Sequence, residues 1–255
     1  MFDAFSHVPA YPLALPIFWG AFAIFAMVVA RRLRVFAAAN AAGPAGSAHV
    51  ARRLGGLIEY AFLQAKMFRE TRVGVMHYVV FLGSTLLLIG NVNIVTGGLV
   101  QAVAGWPLGG AIWTLLVAVQ NLIAAAVLLA AVPYFLFRRL VLRPARLELG
   151  RTGLQVLGMI TLVVATEWLA MAFEAAAHGD TAGAVVTNAI AVPLRTVLAG
   201  DASQAIFVAL WWGHVVVLAG FLLFIPTNKH FHVYTSFINV YLRKLAPRGQ
   251  LPAVD

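Results

Sequence analysis

Hydrophobic and polar positions follow one another along this chain in long blocks, not in the short periods of a soluble domain. Apolar runs of the about 20 residues needed to cross a hydrocarbon core occupy roughly 12–31, 73–97, 111–137, 152–174 and 204–226. Each predicts a transmembrane helix. Residues 1–255 therefore read as a single all-α, polytopic membrane domain of five helices in a bundle. The segments between the runs differ in character. Residues 35–49, rich in Ala with Gly, Pro and Ser, predict a flexible loop. Residues 50–70 mix Arg53, Glu59, Lys66 and Arg69 with Leu54, Leu57, Ile58, Phe62 and Met67, a spacing that predicts an amphipathic helix at the interface. Residues 184–199 form a weaker apolar stretch, broken by Pro193 and Arg195, too short to span and expected on the surface. The tail 230–245, with Phe231, Tyr234, Phe237, Val240 and Tyr241, predicts a second interfacial helix. No internal repeat relates one part of the chain to another, which argues against an inverted-repeat transporter.

Composition agrees with lipid as the solvent: 62% of residues are hydrophobic and only 11% charged, with a mean hydropathy of +0.90. The first run has no basic residue ahead of it and is followed by Arg31, Arg32 and Arg34, which fits a retained span better than a secretory signal. With no cysteine, disulfides, iron–sulfur clusters and covalently attached c-type haem are excluded within these residues.

The net charge of +9 is distributed in a way that excludes a nucleic-acid surface. Arg31, Arg32, Arg34, Arg52, Arg53, Lys66, Arg69 and Arg72 fall between the first two runs, and Arg138, Arg139, Arg143, Arg146 and Arg151 between the third and fourth. Lys229, Arg243, Lys244 and Arg248 follow the last, and Arg195 alone lies on the other side. This positive-inside alternation predicts an outward N-terminus, a cytoplasmic C-terminus and a bacterial inner-membrane protein.

Polar groups that persist inside hydrocarbon are functional candidates. His77 falls in the second span, His214 in the fifth, and His230 and His232 just beyond it. Haem b takes two imidazoles, usually from different helices. On a continuous helix, His214 and His232 would lie about 27 Å apart on one face, so one helix would serve two depths. Depth alone leaves open whether His77 pairs with His232 or with His214. Glu167, in the fourth span, lies at a depth comparable to His214, and the pair is a candidate for handling quinone protons, or else a structural hydrogen bond. Arg69 and Arg72 are placed to meet haem propionates or to serve as interfacial charges. Gly83 and Gly220 offer close approach to a porphyrin or to another helix. Gln120 and Asn121 are expected to bond between helices, and Trp106, Trp113, Trp168, Trp211 and Trp212 to anchor the interface.

The segment His214-Val-Val-Val-Leu-Ala-Gly-Phe-Leu-Leu-Phe-Ile-Pro226-Thr-Asn-Lys-His-Phe-His232 resembles the last span of the respiratory nitrate reductase gamma subunit. Arg-Glu-Thr-Arg72-Val-Gly-Val-Met-His77-Tyr-Val-Val-Phe-Leu-Gly83 is similar to the start of that family's second span. A nearer resemblance is to the membrane domain of heterodisulfide-reductase-like iron–sulfur oxidoreductases, including electron-transfer-flavoprotein:quinone oxidoreductases. It is carried by Lys-His-Phe-His232-Val-Tyr-Thr-Ser-Phe-Ile-Asn-Val-Tyr-Leu-Arg243 and the following Pro-Arg-Gly249. The resemblance implies a haem b held by His77 and His232 near the cytoplasmic face. Leu87 stands where the nitrate reductase pattern has a second histidine, so His214 lacks its usual partner and is left as ligand of an alternative or second haem. His230 is expected near a propionate or a quinone. The implied function is electron transfer between membrane quinone and a cytoplasmic iron–sulfur subunit or electron-transfer flavoprotein. The iron–sulfur domain of fused relatives does not follow before Asp255, so it is expected on a separate polypeptide or beyond this sequence. The rival readings are a haem-free membrane anchor for a soluble redox subunit and a small-solute transporter.

Overall fold

A computed structural model describes residues 7–40, 49–95, 110–145, 147, 150–243 and 245. Most of the loop expected over 35–49, the end of the second apolar run beyond 95, and Trp106, Arg146, Lys244, Arg248 and Gly249 lie outside the described residues. The fold is all-α. In chain order it comprises α1 (Ala14–Asn40), α2 (Val50–Leu57), α3 (Thr71–Val95), α4 (Ala111–Ala126), α5 (Val132–Phe137), α6 (Arg151–His178), α7 (Val185–Val197), α8 (Gly200–Phe224) and α9 (His232–Tyr241). π-helical turns at Val127–Ala131 and Arg138–Leu142 join α4 to α5 and extend α5, so the three form one rod. Among the described residues, five helical stretches are long and apolar enough to cross a membrane: Tyr11–Arg34, Thr71–Asn93, Ala111–Leu142, Arg151–His178 and Gly200–Thr227. These are the five predicted runs. Several helices outlast their apolar runs because the backbone ladder continues where hydropathy stops. The end of α1 passes through Arg31, Arg32 and Arg34 into an Ala-rich stretch of high helix propensity.

The bundle is apolar outside as well as inside, as a lipid solvent requires. Leu115, Leu129 and Val216 are 63%, 72% and 62% exposed. Inside, Leu87, Ala124, Val127, Val132, Leu157, Ile160, Val163 and Val164 form one core between α3, the α4–α5 rod and α6. Val8, Ala14, Ala170, Phe207, Trp211 and Val215 form a second between the N-terminal segment, α6 and α8. Small residues let the helices approach: Ala131, Ala172, Ala175 and Ala191 are fully buried. Gly83 belongs to this class, since a Cβ there would stand 2.9 Å from Val127 Cγ2. It serves packing of α3 against the rod, whereas a Cβ at Gly220 would meet only open space.

Two expectations are revised, and the 184–199 stretch is too short to span, as expected. Residues 50–70 do not form one helix: α2 passes into a π-turn at Ile58–Phe62, and the chain then breaks before a 3₁₀ turn at Met67–Arg69. The break centres on Gln64, buried and left-handed at φ 51°. His214 and His232 do not share a continuous helix. Pro226, which has no N–H to continue the ladder, lies in a 3₁₀ turn, and Asn228 is extended. Thr227 Oγ1 and Asn228 Nδ2 both donate to the carbonyl of Phe224, at 2.8 and 3.0 Å, closing the end of α8. The 184–199 stretch is helical despite Pro193, and it packs on α6 with Thr187 and Ala191 fully buried.

Helix α7 is fastened at both ends. The first-turn N–H groups of Val186 and Thr187 have no partner within their helix, and both donate to Asn121 Oδ1 of α4, at 2.8 and 3.2 Å. Asn121 Nδ2 in turn donates to Thr187 Oγ1 at 3.0 Å. A side chain from another helix thus caps α7, and Asn121 bonds between elements as expected. At the other end, Arg195 donates through Nε and Nη2 to the carbonyl of Ala175, at 3.2 and 2.6 Å, and pairs with Asp180. Replacing Asn121 with Ala leaves buried amides without an acceptor and is expected to destabilise the fold by about 2 kcal/mol. Thermal unfolding in detergent tests this against Leu122→Ala, an exposed neighbour on the same helix.

Candidate functional site

Polar side chains gather inside the bundle at two levels. The first lies at the end that carries most of the basic residues. His77, on the second turn of α3, donates from Nδ1 to Gln64 Oε1 at 3.0 Å. An amide oxygen can only accept, so the proton sits on Nδ1 and the lone pair on Nε2. The left-handed break at Gln64 is what brings this amide against α3. The ring of His77 lies 6.4 Å from that of His232, tilted by 46°. His230 meets His232 edge-on at 5.7 Å and Phe221 at 5.4 Å. Burial, with His232 and His77 close by, pushes the His230 imidazole down to about 4. Burial also raises the Tyr234 phenol.

This histidine group is continuous with a platform built from the two amphipathic segments. Helix α9, which begins at His232, packs on α2. Arg53 Nη1 donates to the carbonyls of Tyr241 and, at 3.3 Å, of Arg243. The guanidinium of Arg243 and the ammonium of Lys66 each stand 4.5 Å from the centre of the Tyr60 ring. Phe62 packs on Phe237 at 5.3 Å. Arg69 and Arg72 lie nearby and are exposed.

The second level lies deeper, toward the opposite end. His214 of α8, only 4% exposed, has its Nδ1 2.9 Å from Thr166 Oγ1 and its Nε2 3.2 Å from Asn91 Oδ1. Glu167 of α6 faces it, with Oε2 3.9 Å from His214 Nε2. Gln120 Nε2 of the rod donates to Glu167 Oε1 at 2.5 Å. The facing of Glu167 and His214 anticipated from their depths is what the structure has. Gln64, Asn91 and Thr166 were not singled out from sequence; a lone amide or hydroxyl in an apolar run was the only available signal. Trp168 is not an interfacial anchor, since its indole Nε1 is buried without a hydrogen-bond partner.

The cofactor expectation is corrected by these arrangements. The chain has no cysteine, and among the described residues no group of three or more His, Cys, Asp or Glu side chains could hold a metal ion. His214 has both ring nitrogens occupied, by Thr166 and Asn91, and has no nitrogen left for a metal. Haem b is therefore not retained, singly or as a pair, and the haem roles of His77, His232, His214, Arg69, Arg72 and Gly83 fall with it.

Comparison with known proteins gives one informative likeness. The chain is 25% identical over 199 residues to a protein of Bacillus subtilis (strain 168) named probable iron-sulfur-binding oxidoreductase FadF. That match takes in 76% of this chain and 27% of the relative, so the chain spans about a quarter of the relative's length. No protein-family model matches, and no solved structure matches. The fold defines a membrane-embedded helical protein, and the likeness relates it to one part of that longer relative.

The depressed value at His230 sets a sign for pH dependence. Folded, the imidazole stays neutral down to about 4; unfolded, it takes up a proton near its ordinary 6.5. The fold therefore loses stability as pH falls from about 6.5 toward 4 and gains nothing above that window. The unfolding temperature in detergent is expected to drop between about pH 7 and pH 5, with a shallower slope in His230→Asn. Equal slopes in the two proteins would contradict the assignment.

Proposed function

We propose that this chain is the haem-free membrane module of a quinone-linked oxidoreductase of the bacterial inner membrane. It holds an iron–sulfur or flavoprotein partner at the cytoplasmic face and presents a quinone headgroup to it. The observation that carries this reading is the continuity between the histidine group and the α2–α9 platform. The platform is basic, lies at the end that the charge pattern assigns to the cytoplasm, and begins at His232 itself. The likeness to an iron–sulfur-binding oxidoreductase supports a partner of that chemistry.

Histidine and aromatic side chains suit a quinone. Its carbonyl oxygens accept hydrogen bonds, and its ring packs on apolar surface such as Phe221. Reduction of quinone to quinol consumes two electrons and two protons. The electrons would come from the partner, and the imidazoles stand between the headgroup and the aqueous face as proton carriers. Gln64, by holding the His77 proton on Nδ1, leaves Nε2 to accept a proton from a quinol hydroxyl or to relay one toward it. For quinol oxidation Nε2 takes the hydroxyl proton directly; for quinone reduction it first takes up a proton from the aqueous side and then gives it to the carbonyl oxygen.

Mild-detergent purification of the tagged chain from native membranes is expected to recover a stoichiometric partner with iron–sulfur or flavin absorbance. The preparation is expected to bind a short-chain quinone analogue, with affinity weakened about tenfold, or about 1.4 kcal/mol, in His77→Ala and in His232→Ala. Recovery of the chain alone, with no quinone binding, would overturn the proposal.

A further inference from the structure

The deeper polar group lies away from the quinone site and takes no part in the function just described, yet its hydrogen bonds are directional enough to count protons. Thr166 Oγ1 donates its own proton to the carbonyl of Leu162, at 2.7 Å, with Val163 O at 3.2 Å. Its oxygen can therefore only accept from His214, and Nδ1 of His214 carries a hydrogen. At the other nitrogen, Asn91 presents its carbonyl oxygen at 3.2 Å, so Nε2 carries a hydrogen too. An imidazole that donates from both nitrogens is an imidazolium.

The counter-charge is Glu167, whose Oε2 stands 3.9 Å from Nε2. Gln120 donates to Oε1, as suits either a carboxylate or the carbonyl oxygen of a carboxylic acid, and Oε2 is buried with no hydrogen bond. Among the described residues, the elements packed around the carboxyl bring no other charge to it. From α3 come Leu87, Asn91 and Gly90, from the rod Gln120 and Asn121, and from α8 His214. Gly90 is part of the fit: a Cβ there would lie 3.2 Å from Gln120 Nε2 and 3.6 Å from Glu167 Oε1. An isolated charge at this depth would be prohibitively costly, whereas a neutral pair is tolerated.

We propose that Glu167 and His214 form a buried proton-transfer pair that shares one mobile proton. In one state the proton is on His214 Nε2 and is accepted by Asn91 Oδ1. In the other, the Nε2–H bond has broken and an O–H bond has formed at Glu167 Oε2, leaving a neutral imidazole with its hydrogen on Nδ1. The total charge is zero in both states, so the proton moves without a charge being stranded in lipid. A half-turn of the Asn91 amide, which would present its NH₂ to Nε2, matches the second state. The ligand of this site is thus a proton, and Asn91 is its positioning residue.

Infrared difference spectroscopy of the full chain in lipid nanodiscs, exchanged between H₂O and D₂O, reads where the proton is. Wild type is expected to show imidazolium bands together with a weak deuterium-sensitive carboxylic C=O band from Glu167. In His214→Asn the proton has no imidazole to occupy, and that band is expected to strengthen several-fold. It should be absent from the double variant Glu167→Gln/His214→Asn and from Glu167→Gln. His214→Gln serves as a second variant should His214→Asn fail to fold. Identical carboxyl bands in wild type and both His214 variants would overturn the pair. Because no quinone or partner is present, failure here leaves the quinone reading untouched.

Discussion

The absence of water in the hydrocarbon region is the constraint on which the rest of this molecule depends. A buried donor or acceptor there has only the protein to bond with, and those left without a partner, such as Trp168 Nε1, are exceptions. The polar side chains of the spans are consequently not scattered but paired across helices. Asn121 caps α7 from α4, Arg195 closes the end of α6 from α7, and Gln120 reaches Glu167 from the rod. Each of these ties is also a positional lock, because lipid gives a broken bond nothing to replace it. The bundle is held in register by its few polar contacts, while its apolar surface, alike inside and out, supplies close packing without direction.

The same constraint separates the two polar levels. At the basic end, the chain leaves the regular ladder at Gln64 and at Asn228, and both breaks lie beside the histidine group. Irregular backbone of this kind is tolerable at an interface, and here it turns an amide toward His77 and carries His230 and His232 back over the end of the bundle. Deeper in, the helices are unbroken, and Glu167 and His214 survive by neutralising one another. One level is built to meet molecules from outside, the other to keep a proton inside.

Much of the fold was legible from hydropathy and charge. All five spans were visible as apolar blocks, since burial in lipid demands length and composition and little else. The breaks were less visible. Pro226 announced itself, but the left-handed turn at Gln64 has no glycine to mark it, and the helicity of α7 was masked by Pro193. The facing of Glu167 and His214 could be inferred from depth along the two helices. Their proton count could not, because it rests on Thr166 and Asn91, whose short polar side chains look like ordinary helix-packing residues until their partners are known. The haem expectation came from the placement of the histidines and from resemblance in two segments. It did not survive, because His214 spends both nitrogens on neighbours and no larger set of ligating side chains converges among the described residues.

The central claim is that a quinone headgroup meets the histidine group beside the α2–α9 platform. Photoaffinity labelling with an azido-quinone, in native membranes and mapped by mass spectrometry, tests it most directly. Label is expected on peptides containing His77 and His230–His232, and it should be competed away by unlabelled quinone. Competable label confined to the segments around Glu167 and Trp168, or no competable label on the chain at all, would contradict it.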